Sequence, residues 1–254
     1  MTNEINLYFY LFKLFLVHKM DKTQISRIQS VISQLNALKL EDSSPNEIKK
    51  ILNLLDKSRI IAPLFTLHKG TKIYRGRNVA SYNEVKSIKD ISYKDASLCN
   101  GYGRASEPYQ SAFYGIVNFD KDEDMRKSIF GCIYEISPIF RKISRPDGIY
   151  KMVIGIWEVK QDITLFAFIN PEKKGNKSNS FEETVEDYFS FAKNQKNALN
   201  IEDAYILQKF MYRKYNEPSI ENNDCNYWIP AIFTQSIVMP QKDGVIYQSV
   251  QSRD

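Results

Sequence analysis

The chain has 254 residues, 43% of them hydrophobic and 26% charged, with 35 Lys and Arg against 30 Asp and Glu for a net charge of +5. That length suits one large domain, or one domain with a small addition, and the composition excludes a disordered chain. The basic excess is slight and dispersed, without a Lys/Arg block, so it suits an anionic ligand and argues against a dedicated nucleic-acid binder.

The N-terminus carries an apolar run over residues 5–17 that is interrupted by Lys13. It is shorter than a bilayer span and lacks both a basic leader and a small-residue cleavage site, so a buried strand or helix is expected rather than a targeting segment. Met20 stands as an alternative start to Met1. From Lys22, Ile25, Ile28, Val31, Ile32, Leu35 and Leu38 fall at helical spacing. Ser44-Pro45-Asn46-Glu47 then reads as a capping box with Pro at the first helical position, opening a second helix with Ile48, Ile51, Leu52 and Leu55 as its apolar stripe. Residues 1–62 are therefore expected to form an N-terminal helical appendage, a short helical hairpin ahead of a main domain over 63–254.

After Pro63 the texture changes. Strands are expected at 72–74, 113–117, 129–136, 152–159 and 164–169, the long ones rich in β-branched and aromatic residues. The Lys/Asn/Ser/Gly stretch 171–180 reads as a loop, and 181–196, 201–215 and 228–238 read as helices. A closing strand at 245–247 follows the Asp243-Gly244 turn. Strands first and helices after them give an α+β fold class, a mixed sheet core with helices, rather than βαβ alternation.

Cys99, Cys132 and Cys225 are far apart and lack metal-ligand spacing, which argues against a disulfide framework and for a reducing, cytoplasmic setting. His18 and His68 are read as surface or half-buried side chains, and no metal site is expected.

Four clusters carry chemistry. Tyr74-Arg75-Gly76-Arg77 ends a strand with two guanidinium groups, whose planar forks suit phosphate oxygens. Asn100-Gly101-Tyr102-Gly103-Arg104-Ala105-Ser106 is a loop able to approach a ligand closely, without the spacing of a phosphate-binding or dinucleotide fingerprint. Glu135 is a carboxylate in an otherwise apolar run, with Glu158 its competitor in a similar setting. Gly244-Val245-Ile246-Tyr247-Gln248-Ser249 ends in a hydroxyl suited to positioning a ligand, since the nucleophile-elbow pattern is absent.

In this order the pieces resemble the RES domain family. The resemblance rests on Lys72-Ile73-Tyr74-Arg75-Gly76-Arg77, on Gly103-Arg104-Ala105-Ser106 through Phe113-Tyr114-Gly115, and on Tyr134-Glu135-Ile136. It extends to Gly155-Ile156-Trp157-Glu158-Val159 and Asp243-Gly244-Val245-Ile246-Tyr247-Gln248-Ser249-Val250, and so runs from about Leu67 onward. It implies a fold like that of the ADP-ribosyltransferases and an NAD-degrading activity, phosphorolysis or hydrolysis of the nicotinamide–ribose bond. It also implies the toxin of a toxin–antitoxin or defence system, with a cognate antitoxin or regulatory protein as partner. Carried over, Arg75 and Arg104 would grip the pyrophosphate, Tyr114 would stack, Glu135 would be the catalytic acidic residue, and Ser249 would orient the ribose or the acceptor. Arg77 competes with Arg75 for the first role. NAD enters as substrate, with inorganic phosphate as co-substrate, and neither cofactor nor metal is implied; a homodimer is compatible with the reading. The alternatives are an ADP-ribosyltransferase acting on a protein or nucleic acid, and a non-enzymatic anion-binding module.

Overall fold

The computed structural model describes residues 22–56, 60, 62–117, 125–137, 149–170, 172, 187–188, 190, 199–218 and 223–247. The apolar N-terminal run, His18, Met20, Ser249, nearly all of the loop expected at 171–180 and most of the helix expected at 181–196 lie outside the described residues.

The two N-terminal helices form as the spacing predicts: α1 (Lys22–Ala37) and α2 (Pro45–Leu52). The capping box at the start of α2 is present, the Glu47 carboxylate accepting from the Ser44 N–H at 2.7 Å and the Ser44 hydroxyl accepting from the Glu47 N–H. The strands are β1 (Leu64–Leu67), β2 (Lys72–Val79), β3 (Lys151–Glu158), β4 (Ile163–Phe168) and β5 (Gly244–Tyr247). Three further helices lie among the described residues, α3 (Met125–Ile136), α4 (Leu199–Tyr215) and α5 (Cys225–Phe233), and residues 187, 188 and 190 are helical as well. The fold is therefore α+β, but its strands divide between two small sheets: β1-β4-β5, and the antiparallel ribbon β2-β3. β1 runs antiparallel to β4, whereas β5 runs parallel to it. A parallel pair needs a crossover, and α4 with α5 supplies it.

The main core lies between one face of β4 and the helices. Phe166 and Phe168 pack there with Ile28, Val31, Leu35, Ile48, Leu52, Leu207, Phe210, Ile229 and Phe233. Strand alternation turns Leu165 and Ala167 the other way, into two smaller apolar clusters. The cluster around Leu67, Val159 and Leu165 also includes Ile73 and so ties the two sheets together. Packing runs continuously across the boundary expected at residue 62, because the stripes of α1 and α2 have no core of their own to cover.

Two expectations are corrected. Residues 129–136 form the latter part of helix α3, not a strand, so Glu135 sits on a helix. The reason is a close approach: a Cβ on Gly76 would stand 3.3 Å from Cys132 Cβ and 2.6 Å from Ile136 Cδ1, so β2 has helix directly against its backbone. Residues 113–117 are extended but join β2 through a single bridge, Tyr74 with Ile116. The helix expected at 228–238 begins at Cys225 and changes to π pitch over Thr234–Val238. Pro230 has no N–H to give, and its carbonyl is shared between the Thr234 and Tyr215 hydroxyls.

All three cysteines are free thiols; Cys132 and Cys225 are buried and Cys99 is half-buried. Among the described residues no helix is long and apolar enough to cross a membrane.

Asp203 on α4 is 1% exposed, and neither carboxylate oxygen has a hydrogen-bond partner among the described residues. Burial first, and Glu202 second, push its carboxyl up to about 6 from 3.8. The folded state thus favours the protonated acid, so its destabilisation is fully present above the folded value and disappears as pH falls below the unfolded one. Asp203→Asn is expected to raise Tm at pH 7.5, at about 2–4 °C per kcal/mol relieved for a chain of this size, and to give no gain near pH 4. Thermal melts of both proteins across that range check it.

Candidate functional site

The site is built around the loop 99–110 and the strand-like segment 113–117. The loop is tied down by side chains from distant elements. The Asp224 carboxylate accepts from the Tyr102 N–H at 2.7 Å and from the Trp228 indole at 3.0 Å. Gln235 Nε2 donates to the Ala105 carbonyl at 2.7 Å. Lys49 of α2 pairs with Glu107 at 2.5 Å, which brings the N-terminal helices onto the same loop.

Tyr114 links the two arginine segments. Its carbonyl accepts from Arg75 Nη1 at 2.7 Å. Its hydroxyl accepts from the Ala105 N–H at 3.0 Å and lies 3.2 Å from the Ser106 hydroxyl. The phenol tip is inserted so closely that a Cβ on Gly103 would meet it at 2.6 Å, and burial raises its proton affinity. The ring nevertheless keeps an exposed edge, at 38% of the residue's surface.

Arg75 and Arg77 alternate with Gly76 along β2, so both guanidinium groups leave the face opposite α3. Arg75 lies 5.1 Å from the centre of the Phe113 ring. Burial lowers its pKa, and Arg77 adds to the effect. Arg77 donates to the Asp90 carbonyl, in an exposed 3₁₀ turn over Ile88–Ile91.

Arg104 has a different environment. Its Nη1 donates to the carbonyls of Tyr215 at 2.7 Å and Glu217 at 2.6 Å, and its guanidinium lies 4.9 Å from the centre of the Tyr227 ring. It thereby satisfies carbonyls left over where α4 ends, at the negative end of the helix dipole. Arg104 Nη1 is thus engaged with protein carbonyls, while Arg75 Nη1 is engaged with the Tyr114 carbonyl.

Glu135 is half-buried one turn beyond Cys132 on α3. Tyr247 of β5 shows where it stands. Burial pushes that phenol well up; Tyr114 and Glu135 push it further, and Arg104 pulls it back. Tyr114, Arg104, Glu135 and Tyr247 therefore share one electrostatic neighbourhood. The Tyr247 ring stacks on Tyr215 at 5.1 Å, and Tyr215 stacks on Phe168 at 5.0 Å, so an aromatic column leads from the core to the site. Glu158 lies elsewhere, 52% exposed at the end of β3, where pairing with Lys160 at 3.0 Å lowers its pKa. Ser249 is two positions beyond Tyr247 and outside the described residues. A shallow surface hollow lined by Thr164 and residues 239–243 contains none of these groups.

Sequence reasoning missed Tyr247, Asp224 and Gln235. Tyr247 carried a signal, an aromatic inside the same motif as Ser249; the other two meet the loop only through tertiary structure. Compared with family models, with curated proteins and with solved structures, the chain matches none.

Arg104→Lys is expected to cost about 1.5–3 kcal/mol of stability without any ligand, because the shorter, strongly hydrated ammonium loses the planar guanidinium over the Tyr227 ring that holds Nη1 between the two carbonyls. Arg77→Lys, an exposed strand position whose side chain reaches only the carbonyl of a surface turn, should change stability by less than about 0.5 kcal/mol. Urea denaturation of the two variants checks the contrast.

Proposed function

We propose that the chain cleaves NAD at the bond between nicotinamide and ribose and passes the ADP-ribosyl group to phosphate or water. The observation that carries this reading is the double use of Tyr114, whose carbonyl holds Arg75 and whose hydroxyl holds the 105–106 loop. One residue thus joins both segments that the sequence marks as anion-binding, and the Glu135 carboxylate is close enough to influence the same Tyr247 phenol.

In this reading Arg75 binds the pyrophosphate and the exposed edge of Tyr114 offers a stacking surface. The C1′–N bond breaks with its electron pair passing to the nicotinamide ring, which leaves neutral and needs no general acid. The ribose carbon takes on oxocarbenium character, as in glycoside hydrolysis. Glu135 stabilises that charge and holds a ribose hydroxyl. A phosphate oxygen then attacks to give the sugar 1-phosphate, or water attacks and releases a proton to give free ADP-ribose. Ser249 orients the ribose or the acceptor. Arg104 supports the loop rather than the ligand. A cognate antitoxin that blocks NAD entry belongs to the same reading.

Purified protein incubated with NAD, with and without phosphate, is expected to release nicotinamide together with ADP-ribose or its phosphate. Label appearing on a macromolecule instead would identify a transferase, and intact NAD would reject the reading. Glu135→Gln should lower the rate at least about hundredfold with an unchanged Tm, whereas Glu158→Gln should keep the parent rate. The reverse pattern would move the acidic role to Glu158.

A further inference from the structure

On the face of the β2-β3 ribbon turned away from α3, three nitrogen donors meet among aromatic and aliphatic side chains. Arg75 pairs across the ribbon with Gly155, and Arg77 with Val153. Trp157, two residues beyond Gly155, shares their face. A Cβ on Gly155 would stand 3.0 Å from Trp157 Nε1 and 2.8 Å from Ile91 Cδ1. The indole therefore folds back along its own strand, with its nitrogen over the position opposite Arg75. Only glycine leaves room there for the indole and for Ile91.

Phe113 closes the arrangement. Its ring meets Trp157 edge-on at 5.4 Å, and Tyr93 lies against it at 5.5 Å. The Arg75 guanidinium stands over the same ring.

Trp157 Nε1 is shielded from solvent and has no acceptor among the described residues. The other tryptophan shows the usual arrangement, Trp228 Nε1 donating to Asp224 at 3.0 Å. A shielded N–H without an acceptor is a standing cost to the fold. Beside it stand two guanidinium groups of like charge, one half-buried and the other donating to the Asp90 carbonyl, with the Asp90 carboxylate also within its electrostatic reach. A single anionic oxygen cluster would relieve both conditions at once.

We propose that this niche is a phosphoryl-binding subsite, in which the Trp157 indole N–H, rather than Arg104, is the partner of Arg75 and Arg77 in gripping the pyrophosphate. The assignment rests on the NAD reading for its ligand, a nucleoside diphosphate moiety. Charge-assisted bonds from two guanidinium forks and one indole donor fix a phosphoryl group by three directions. The strap 81–94 forms the outer wall. Its Asp90 carbonyl occupies Arg77 in the free protein and gives way to a ligand oxygen, and Ile91 moves off Gly155. The strap's two 3₁₀ turns are held by their own caps, Ser81 with Glu84 and Ser87 with Asp90, so it can shift without unravelling.

The indole N–H resonances of the full chain, labelled with nitrogen-15, test this directly. Trp157→Phe and Trp228→Phe assign the two signals independently, so either variant suffices. ADP is the probe, a pyrophosphate without the scissile bond, and adenosine is its control. ADP is expected to move the Trp157 signal, while adenosine moves neither. Trp157→Phe should weaken ADP binding about tenfold in calorimetry, the loss of one donor to a charged acceptor. A Trp157 signal unmoved by saturating ADP overturns the proposal, as does unweakened binding by Trp157→Phe or an absence of ADP binding. If NAD is cleaved while Trp157 stays still, the subsite falls and the activity stands. If ADP moves Trp157 while NAD survives intact, the subsite stands and the activity falls.

Discussion

Tyr114 is held at both ends, and the candidate site depends on that. Its carbonyl fixes the Arg75 guanidinium, and its hydroxyl is seated in the turn of the 103–106 loop. Neither bond is strong alone, since a protein hydrogen bond contributes about 0.5–1.5 kcal/mol net. Their value lies in coupling. The loop is fixed in turn by Asp224, Gln235 and Arg104, all of which reach into or from the α4–α5 region of the core. A displacement of α5 or of the end of α4 therefore reaches Arg75 through one residue. The construction follows a general rule for functional sites, in which side chains on loops are positioned by a rigid scaffold.

The two arginine segments divide their labour. Arg104 neutralises a helix end and so belongs to the framework. Arg75 is placed where burial and a like charge both disfavour its cation. A cation kept under those conditions is what an anion site needs before the anion arrives. The strand register decides which groups accompany it: Gly155 opposite, Trp157 folded back over that gap, and Phe113 beneath the guanidinium.

Much of this architecture was legible before any coordinates. The helical spacing of 22–38, the capping box at Ser44, the ribbon strands and the closing strand at 245–247 all follow from local rules, and all are present. Residues 129–136 misled because Ile129, Phe130, Ile133, Tyr134 and Ile136 favour strands by type. The competing signal was position: Ser128, Cys132 and Ile136 recur at four-residue steps, as do Gly131 and Glu135, and small residues at that spacing let a helix lie against a strand backbone. The carbonyl partners of Arg104 lie 111 and 113 residues further along the chain, beyond the reach of any local pattern. The unsatisfied indole of Trp157 was equally hidden, because a missing acceptor has no signature in sequence.

The three free thiols divide the molecule into zones of different chemical reactivity. Cys132, pressed against Gly76, has its thiol pushed up to about 11 by burial, and burial also raises Cys225. Thiolates are the reactive species, so both are inert towards alkylating reagents while the chain is folded. Cys99 is half-exposed, and its carbonyl accepts from Tyr109 at 2.5 Å inside the loop that bears Arg104. A thiol reagent therefore modifies the native chain at Cys99 first and reads the state of that loop. The later appearance of the other two thiols marks the opening of the α3–β2 contact and of α5, so one reagent follows the site and the core as separate events.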